Sequence, residues 1–199
     1  MKKTIKVTMF GWCYNYLFKK GMKYHGIIKE TKDIKKEYNN IIKRAKEIGK
    51  SNLICSYCMG AYFIAVNKTL DYSCDKNYEI FKDGLYNNKL LRIILGNSTS
   101  YLDVKKMPKR KKWEKKSHLR KYENDWVVEV LPKIDEYDLG FNYHECGICK
   151  LCKDEGYKEI AKYLCKLDYV LADMMNIKLV RTQTIADGQK YCDFRYSKK

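Results

Sequence analysis

Asp125-Trp126-Val127-Val128-Glu129-Val130-Leu131-Pro132, followed shortly by Leu139-Gly140-Phe141-Asn142-Tyr143-His144-Glu145-Cys146, is where the chain changes its period. Upstream, apolar residues recur at helical spacing. Here they alternate, the pattern of a strand with one buried face. Trp126, Val128 and Val130 alternate with Val127, Glu129 and Leu131 until Pro132, which cannot donate to a ladder, ends the run. In the second segment Leu139, Phe141 and Tyr143 share one face, and Gly140, Asn142, His144 and Cys146 share the other.

Working outward, the chain before Asn97 reads as helices. Asp33 to Ile48 carries Ile34, Tyr38, Ile41, Ile42, Ala45 and Ile48 at helical spacing and stops at Gly49. Ser51 is the expected N-cap of a helix over 52–70 that is apolar on nearly all sides, and so buried. Tyr78 to Leu95 predicts one or two short helices ended by Gly96-Asn97. Residues 98–122 show no clear period, contain Pro108, and read as a basic surface connection. Downstream, Tyr157 to Met175 predicts a helix. Residues 177–185 and 190–196 predict a hairpin in which Gly188 takes the positive φ of the turn. The expected fold is α+β, one domain over 1–199: a helical part (1–97), the connection (98–122), and an antiparallel sheet with a long helix (123–199).

The 199 residues carry a net charge of +17, from 41 Lys+Arg against 24 Asp+Glu. Only 6 of the basic residues are Arg, and Lys105 to Lys121 holds ten basic residues against the single acid Glu114. More than half of the net charge is therefore local. It also rests on Lys rather than on the bidentate Arg that reads nucleic acids. A nucleic-acid partner is not expected, although Trp113 in the basic run offers a stacking ring. No run of 18 apolar residues and no signal-peptide pattern occurs, so a cytosolic setting without a membrane partner is expected. There, nine cysteines read as reduced thiols, metal ligands or catalytic groups rather than disulfides.

The long helix holds one anomaly. At 100° per residue Ile160, Ala161, Leu164, Leu171 and Met175 fall within about 60° of Tyr157, and Asp168 lies about 20° from the centre of that apolar face. A carboxylate there must be paired, hydrogen-bonded or protonated. Arg181 or Arg195 could pair with it; alternatively it is a general acid or base with a shifted pKa. Cys165, one turn earlier, flanks the same face. Cys146-Gly-Ile-Cys149-Lys-Leu-Cys152 has the spacing of a thiolate metal site, although on a helix the three side chains fan over about 120°. The sequence requires no cofactor; zinc or another divalent metal on Cys146, Cys149, Cys152 and Cys192 is the option left open. Cys146, Cys165, Cys192, Asp168 and His144 together would make one pocket joining the C-terminal elements. Cys55 and Cys58 sit in the apolar helix and read as core. No phosphate-binding glycine loop, G-x-S-x-G or H-E-x-x-H motif occurs.

Residues 122–128 (Tyr-Glu-Asn-Asp-Trp-Val-Val), 143–152, 163–168 (Tyr-Leu-Cys-Lys-Leu-Asp), 181–188 (Arg-Thr-Gln-Thr-Ile-Ala-Asp-Gly) and 191–196 (Tyr-Cys-Asp-Phe-Arg-Tyr) occur in that order. Together they resemble the L-2-amino-thiazoline-4-carboxylic acid hydrolase family, over about residues 30–197 and most strongly from 122 onward. The resemblance implies a small-molecule substrate and a C–N hydrolase acting on a cyclic amidine, opening the ring of an S-alkyl isothiourea to a carbamoyl-cysteine. For such a reaction the residue chemistry offers two routes, water activated by Asp168 or His144, or attack by the Cys165 or Cys146 thiolate, with Asp168, Cys165 and Cys146 the expected reacting centre. Arg181, Arg195 and Cys192 would bind substrate, the arginines taking its carboxylate. More distantly, the ending resembles the small-molecule-binding domains named after 4-vinyl reductase, which implies the alternative of a non-catalytic ligand- or metal-binding module. Arg181 and Thr184 stand where middle zinc ligands would be, a departure from that pattern.

Overall fold

In the computed structural model, which describes residues 1–2 and 4–199, the helical half comprises α1 (Ile5–Tyr24), α2 (Lys32–Arg44), α3 (Ile54–Thr69), α4 (Cys74–Tyr86), α5 (Lys89–Leu95), α6 (Ser98–Tyr101) and α7 (Met107–Ser117). It is followed by β1 (Val127–Leu131), β2 (Leu139–Glu145), α8 (Gly147–Asp154), α9 (Ile160–Met174), β3 (Ile177–Val180) and β4 (Cys192–Lys198). The fold is α+β.

Because α3 is apolar all round, it needs neighbours all round. Every residue from Tyr57 to Val66 is buried, with α1, α2, α8 and α9 packed against the helix. Ser51 is not its N-cap. The helix starts after Leu53, and the Ser51 hydroxyl accepts from Leu53 N (3.1 Å) and donates to Asp125 Oδ1 (2.7 Å), tying the helix start to the approach to β1. Across the layer, α1 and α4 touch backbone to backbone. A Cβ built on Gly84 would lie 2.1 Å from Leu17 O, and one on Gly21 1.8 Å from Ile80 O, so only glycine permits the contact.

The four strands form one antiparallel sheet in the order β1-β2-β4-β3. Cross-strand pairs Leu139–Tyr196, Phe141–Phe194 and Tyr143–Cys192 build its inner face. α9 serves two cores at once. Leu164 and Leu167 pack with the helices, while Ala172 and the following Met175 pack on the sheet. The β3–β4 hairpin is present, with β3 shorter than the alternation suggests and β4 shifted two residues toward the C-terminus, and Gly188 takes φ +87° in its connection.

The segment 98–122 departs from expectation. It is surface, but much of it is helix, with Pro108 in the first turn of α7. α7 lies along β1, an edge strand whose outward backbone groups need partners. Glu114 Oε2 accepts from Val130 N (3.0 Å), the Ser117 hydroxyl accepts from Val128 N (3.1 Å), and His118 Nε2 lies 3.1 Å from Val128 O. The one acid in the basic run thus caps the sheet edge.

Gly84→Ala should lower stability by roughly 2–3 kcal/mol, the cost of forcing two packed backbones apart. Urea unfolding measures it, and an unchanged midpoint contradicts the described contact.

Candidate active site

Where α9 crosses the inner face of the sheet, a cavity of about 390 Å³ remains between them. Cys146, Cys165, Asp168 and Cys192 all line it. Each arrives from a different local device. Cys146 is the N-cap of α8, just past the end of β2. Cys165 and Asp168 are one turn apart on α9, so they share a face. Cys192 opens β4 and alternates inward with Phe194 and Tyr196. Tyr143, Tyr101 and Trp126 complete the aromatic wall.

Asp168 is the charged group of this wall. Arg181 Nη1 donates to its Oδ2 at 2.8 Å, and Nη2 donates to Cys165 O at 2.9 Å. The Arg181 side chain is only 4% exposed, its guanidinium 4.8 Å from the Phe194 ring centre and 5.1 Å from that of Tyr169. Protein surrounds the Asp168 carboxyl, yet the cavity leaves its side chain 31% accessible. Burial pushes it up to about 6, against the pull of Arg181.

Arg181 is itself held from behind. The Asp193 carboxylate accepts from Thr182 N (2.9 Å), Gln183 N (2.8 Å) and the Thr182 hydroxyl (2.6 Å). Burial alone would raise the Asp193 carboxyl; these donors outweigh it and hold the group below its ordinary range. Next along, Thr184 Oγ1 accepts from Asp187 N (3.1 Å) and donates to Asp187 Oδ2 (2.6 Å), capping the short helical turn Ile185–Asp187. Ile185 N then donates to Cys192 Sγ at 3.2 Å. The Arg-Thr-Gln-Thr and Cys-Asp-Phe segments are therefore one hydrogen-bonded scaffold. Asp193 escaped the sequence reading; the available signal was a carboxylate between the inward Cys192 and Phe194, in a strand that follows a threonine-containing turn.

The thiols differ by environment. The neighbouring Cys149 thiol and the N–H groups of Cys149 and Ile148 at the start of α8, against the opposing effect of burial, hold the Cys146 thiol below its ordinary range. Burial pushes Cys192 up to about 11 and Cys165 higher still, where the neighbouring Asp168 charge adds. Burial likewise raises the phenols of Tyr101, Tyr143 and Tyr196, so they stay neutral donors.

Two expected residues lie elsewhere. His144 faces the other side of β2, exposed, 3.5 Å from Glu129 Oε2. Arg195 is on that outer face too, donating to Asn142 Oδ1 (2.9 Å) and to the Phe141 and Phe194 carbonyls. Strand alternation separates both from Cys192. Arg181 is near the cavity but behind its wall, occupied by Asp168. Among the described residues no three His, Cys, Asp or Glu side chains converge as a metal cage. Cys152 is buried in the helical core, and neither it nor Cys149 lines the cavity that Cys146 and Cys192 share, so the four cysteines do not form one zinc cage. A larger, open groove of about 780 Å³ near Asn97–Lys106 contains no cysteine.

A family model described as L-2-amino-thiazoline-4-carboxylic acid hydrolase matches residues 51–196. The chain belongs to this family. Every residue lining the cavity falls inside the matched stretch, whereas α1 and α2 precede it. No curated protein and no solved structure matches the chain. Among the described residues, no helix of this hydrolase-family member is long and apolar enough to cross a membrane.

Asp193→Ala should cost roughly 2–4 kcal/mol, since Thr182 N and Gln183 N lose their acceptor. The Asp193 carboxyl sits lower in the folded than in the unfolded state. Its contribution is therefore complete at neutral pH and is lost as pH falls below about 4. Urea unfolding of both proteins at pH 7 and pH 3 should show the gap narrowing in acid; a constant gap contradicts the carboxylate's role.

Proposed function

We propose that the protein is a hydrolase that opens a small cyclic amidine in the cavity between α9 and the sheet, with Asp168 as general base. The observation that carries this reading is the lone carboxylate in the cavity wall, braced by Arg181 and raised to about 6, near the working range of a general base. Family membership supports the hydrolase class.

The amidine carbon between two heteroatoms is electrophilic, more so when its nitrogen is protonated. Arg181 occupies Oδ2 of Asp168, which leaves Oδ1 to take a proton from a water as the water oxygen bonds to that carbon. The ring bond then breaks with the electron pair going to the leaving atom, and Asp168 delivers the proton there. The hydroxyl on carbon becomes a carbonyl, its proton passing to Asp168 and on to solvent. Neutral phenols at Tyr143, Tyr101 and Tyr196 can donate hydrogen bonds to the tetrahedral centre.

A second route rests on the place of Cys146 in the cavity wall at the start of α8, where its thiol is held below the ordinary range. Its thiolate would attack the same carbon, and water activated by Asp168 would resolve the adduct. Cys165 and Cys192, held as thiols, then contribute shape rather than nucleophilicity.

Product formation from a panel of 2-aminothiazolines and related cyclic amidines tests the reading. Asp168→Asn should lower kcat/KM by about 100- to 10,000-fold with far-UV circular dichroism retained. The wild-type rate should rise with pH through about 6, because the base must lose its proton, and the variant should lack that rise. Cys146→Ser separates the routes, sparing kcat if water attacks directly and abolishing turnover if the thiolate does. A wild type that binds these rings without opening them points instead to the non-catalytic module.

A further inference from the structure

The namesake substrate of the family carries a carboxylate, so a cavity built for it should offer that carboxylate a cation. This one does not. Among the described residues lining the cavity there is no lysine, arginine or histidine, and Asp168 is the one charged side chain by residue type. The nearby guanidinium, Arg181, has its Nη1 on Asp168 and its Nη2 on the Cys165 carbonyl, with its planar faces near Phe194 and Tyr169. Arg195 is across the sheet on Asn142. A ligand carboxylate placed here would lose its water and meet hydroxyl, thiol, indole and α8 N–H donors but no cation, next to a like charge.

The opposite charge fits. A protonated amidine meets the Asp168 carboxylate, and the aromatic side chains of Trp126, Tyr143 and Phe194 line the same cavity. Along α9 from Asp168 the wall continues one turn on in Leu171 and two turns on in Met175, and Leu95 and Met59 line the same cavity, all apolar and without charge. The volume of about 390 Å³ corresponds to roughly a dozen waters at ~30 Å³ each, well beyond a bare five-membered ring. The remaining space is mostly apolar and uncharged, with Ser56, the thiols and the phenols as its neutral polar groups.

We propose that this family member takes cyclic amidinium rings whose substituent is uncharged and apolar or aromatic, in place of the carboxylate of the family's namesake. The amidinium pairs with Asp168, and the substituent lies along Leu171 and Met175. The inference rests on the reading of Asp168 as the group that faces the amidine.

The test uses matched pairs on the wild-type protein. Binding is measured by calorimetry with 2-aminoimidazoles, which are cationic at neutral pH and resist ring opening, bearing either a 4-phenyl or a 4-carboxylate group. Turnover is measured with the corresponding 2-aminothiazolines. The phenyl compound should bind at least about tenfold more tightly than the carboxylate, and Asp168→Asn should remove most of that binding. Equal or tighter binding of the carboxylate overturns the inference while leaving ring opening intact. Preferential binding of the phenyl compound with no turnover of either thiazoline upholds the ligand class and removes the hydrolase reading. Failure of both imidazoles to bind overturns the inference, and turnover of either thiazoline in that case would still preserve the hydrolase.

Discussion

A guanidinium and a carboxylate buried against each other join the two layers of this protein. Arg181 belongs to the β3–β4 connection and Asp168 to α9, and their contact, with a second bond to the Cys165 carbonyl, ties helix to sheet beside the cavity. Such a pair contributes little net stability relative to a good apolar packing. Losing the carboxylate, however, strands the buried Arg181 charge, at about 3–5 kcal/mol, whereas Asp168 keeps access to the cavity. Arg181 can hold its position because Asp193 fixes the next two residues, so the charge state of the cavity wall depends on the register of β4.

The same residue types take different chemical characters over a few ångströms. Cys146 lies at the start of a helix, where N–H groups and a neighbouring thiol favour the thiolate; Cys165 lies beside a carboxylate in apolar surroundings, where the thiol is favoured. Three phenols are kept neutral by burial around one carboxylate held near 6. The result is a cavity that is apolar in most directions and acidic in one, and that contrast selects by charge before it selects by shape.

Particular residues show where sequence reading succeeds. Asp168 was legible because a carboxylate on a clean apolar helix face is an anomaly that needs a partner, and Arg181 is that partner. The inner faces of β2 and β4 were legible from alternation, which also separates His144 and Arg195 from Cys192. Alternation also put Cys146 on the His144 face; Cys146 reaches the cavity because β2 ends at Glu145 and Cys146 is the N-cap of α8. α7 was not legible. Its basic sequence presents little apolar stripe, and it is held by Glu114, Ser117 and His118 bonding to β1, contacts that exist only after the strand edge is in place. Ser51 looked like a cap by residue type, but Asp125 recruits its hydroxyl from across the fold.

The sequence by itself determined the α+β class, the buried central helix, the strand faces and the anomalous carboxylate, because each follows from local period and the cost of burying a charge. Only the tertiary structure decided that Cys146, Cys165, Cys192 and Asp168 share a cavity while Cys152 does not, and that neither arginine is free to meet a substrate. The physical reason is that pKa, pairing and access belong to the space between elements. That space is set by how α9 lies across the sheet, and no single segment encodes it.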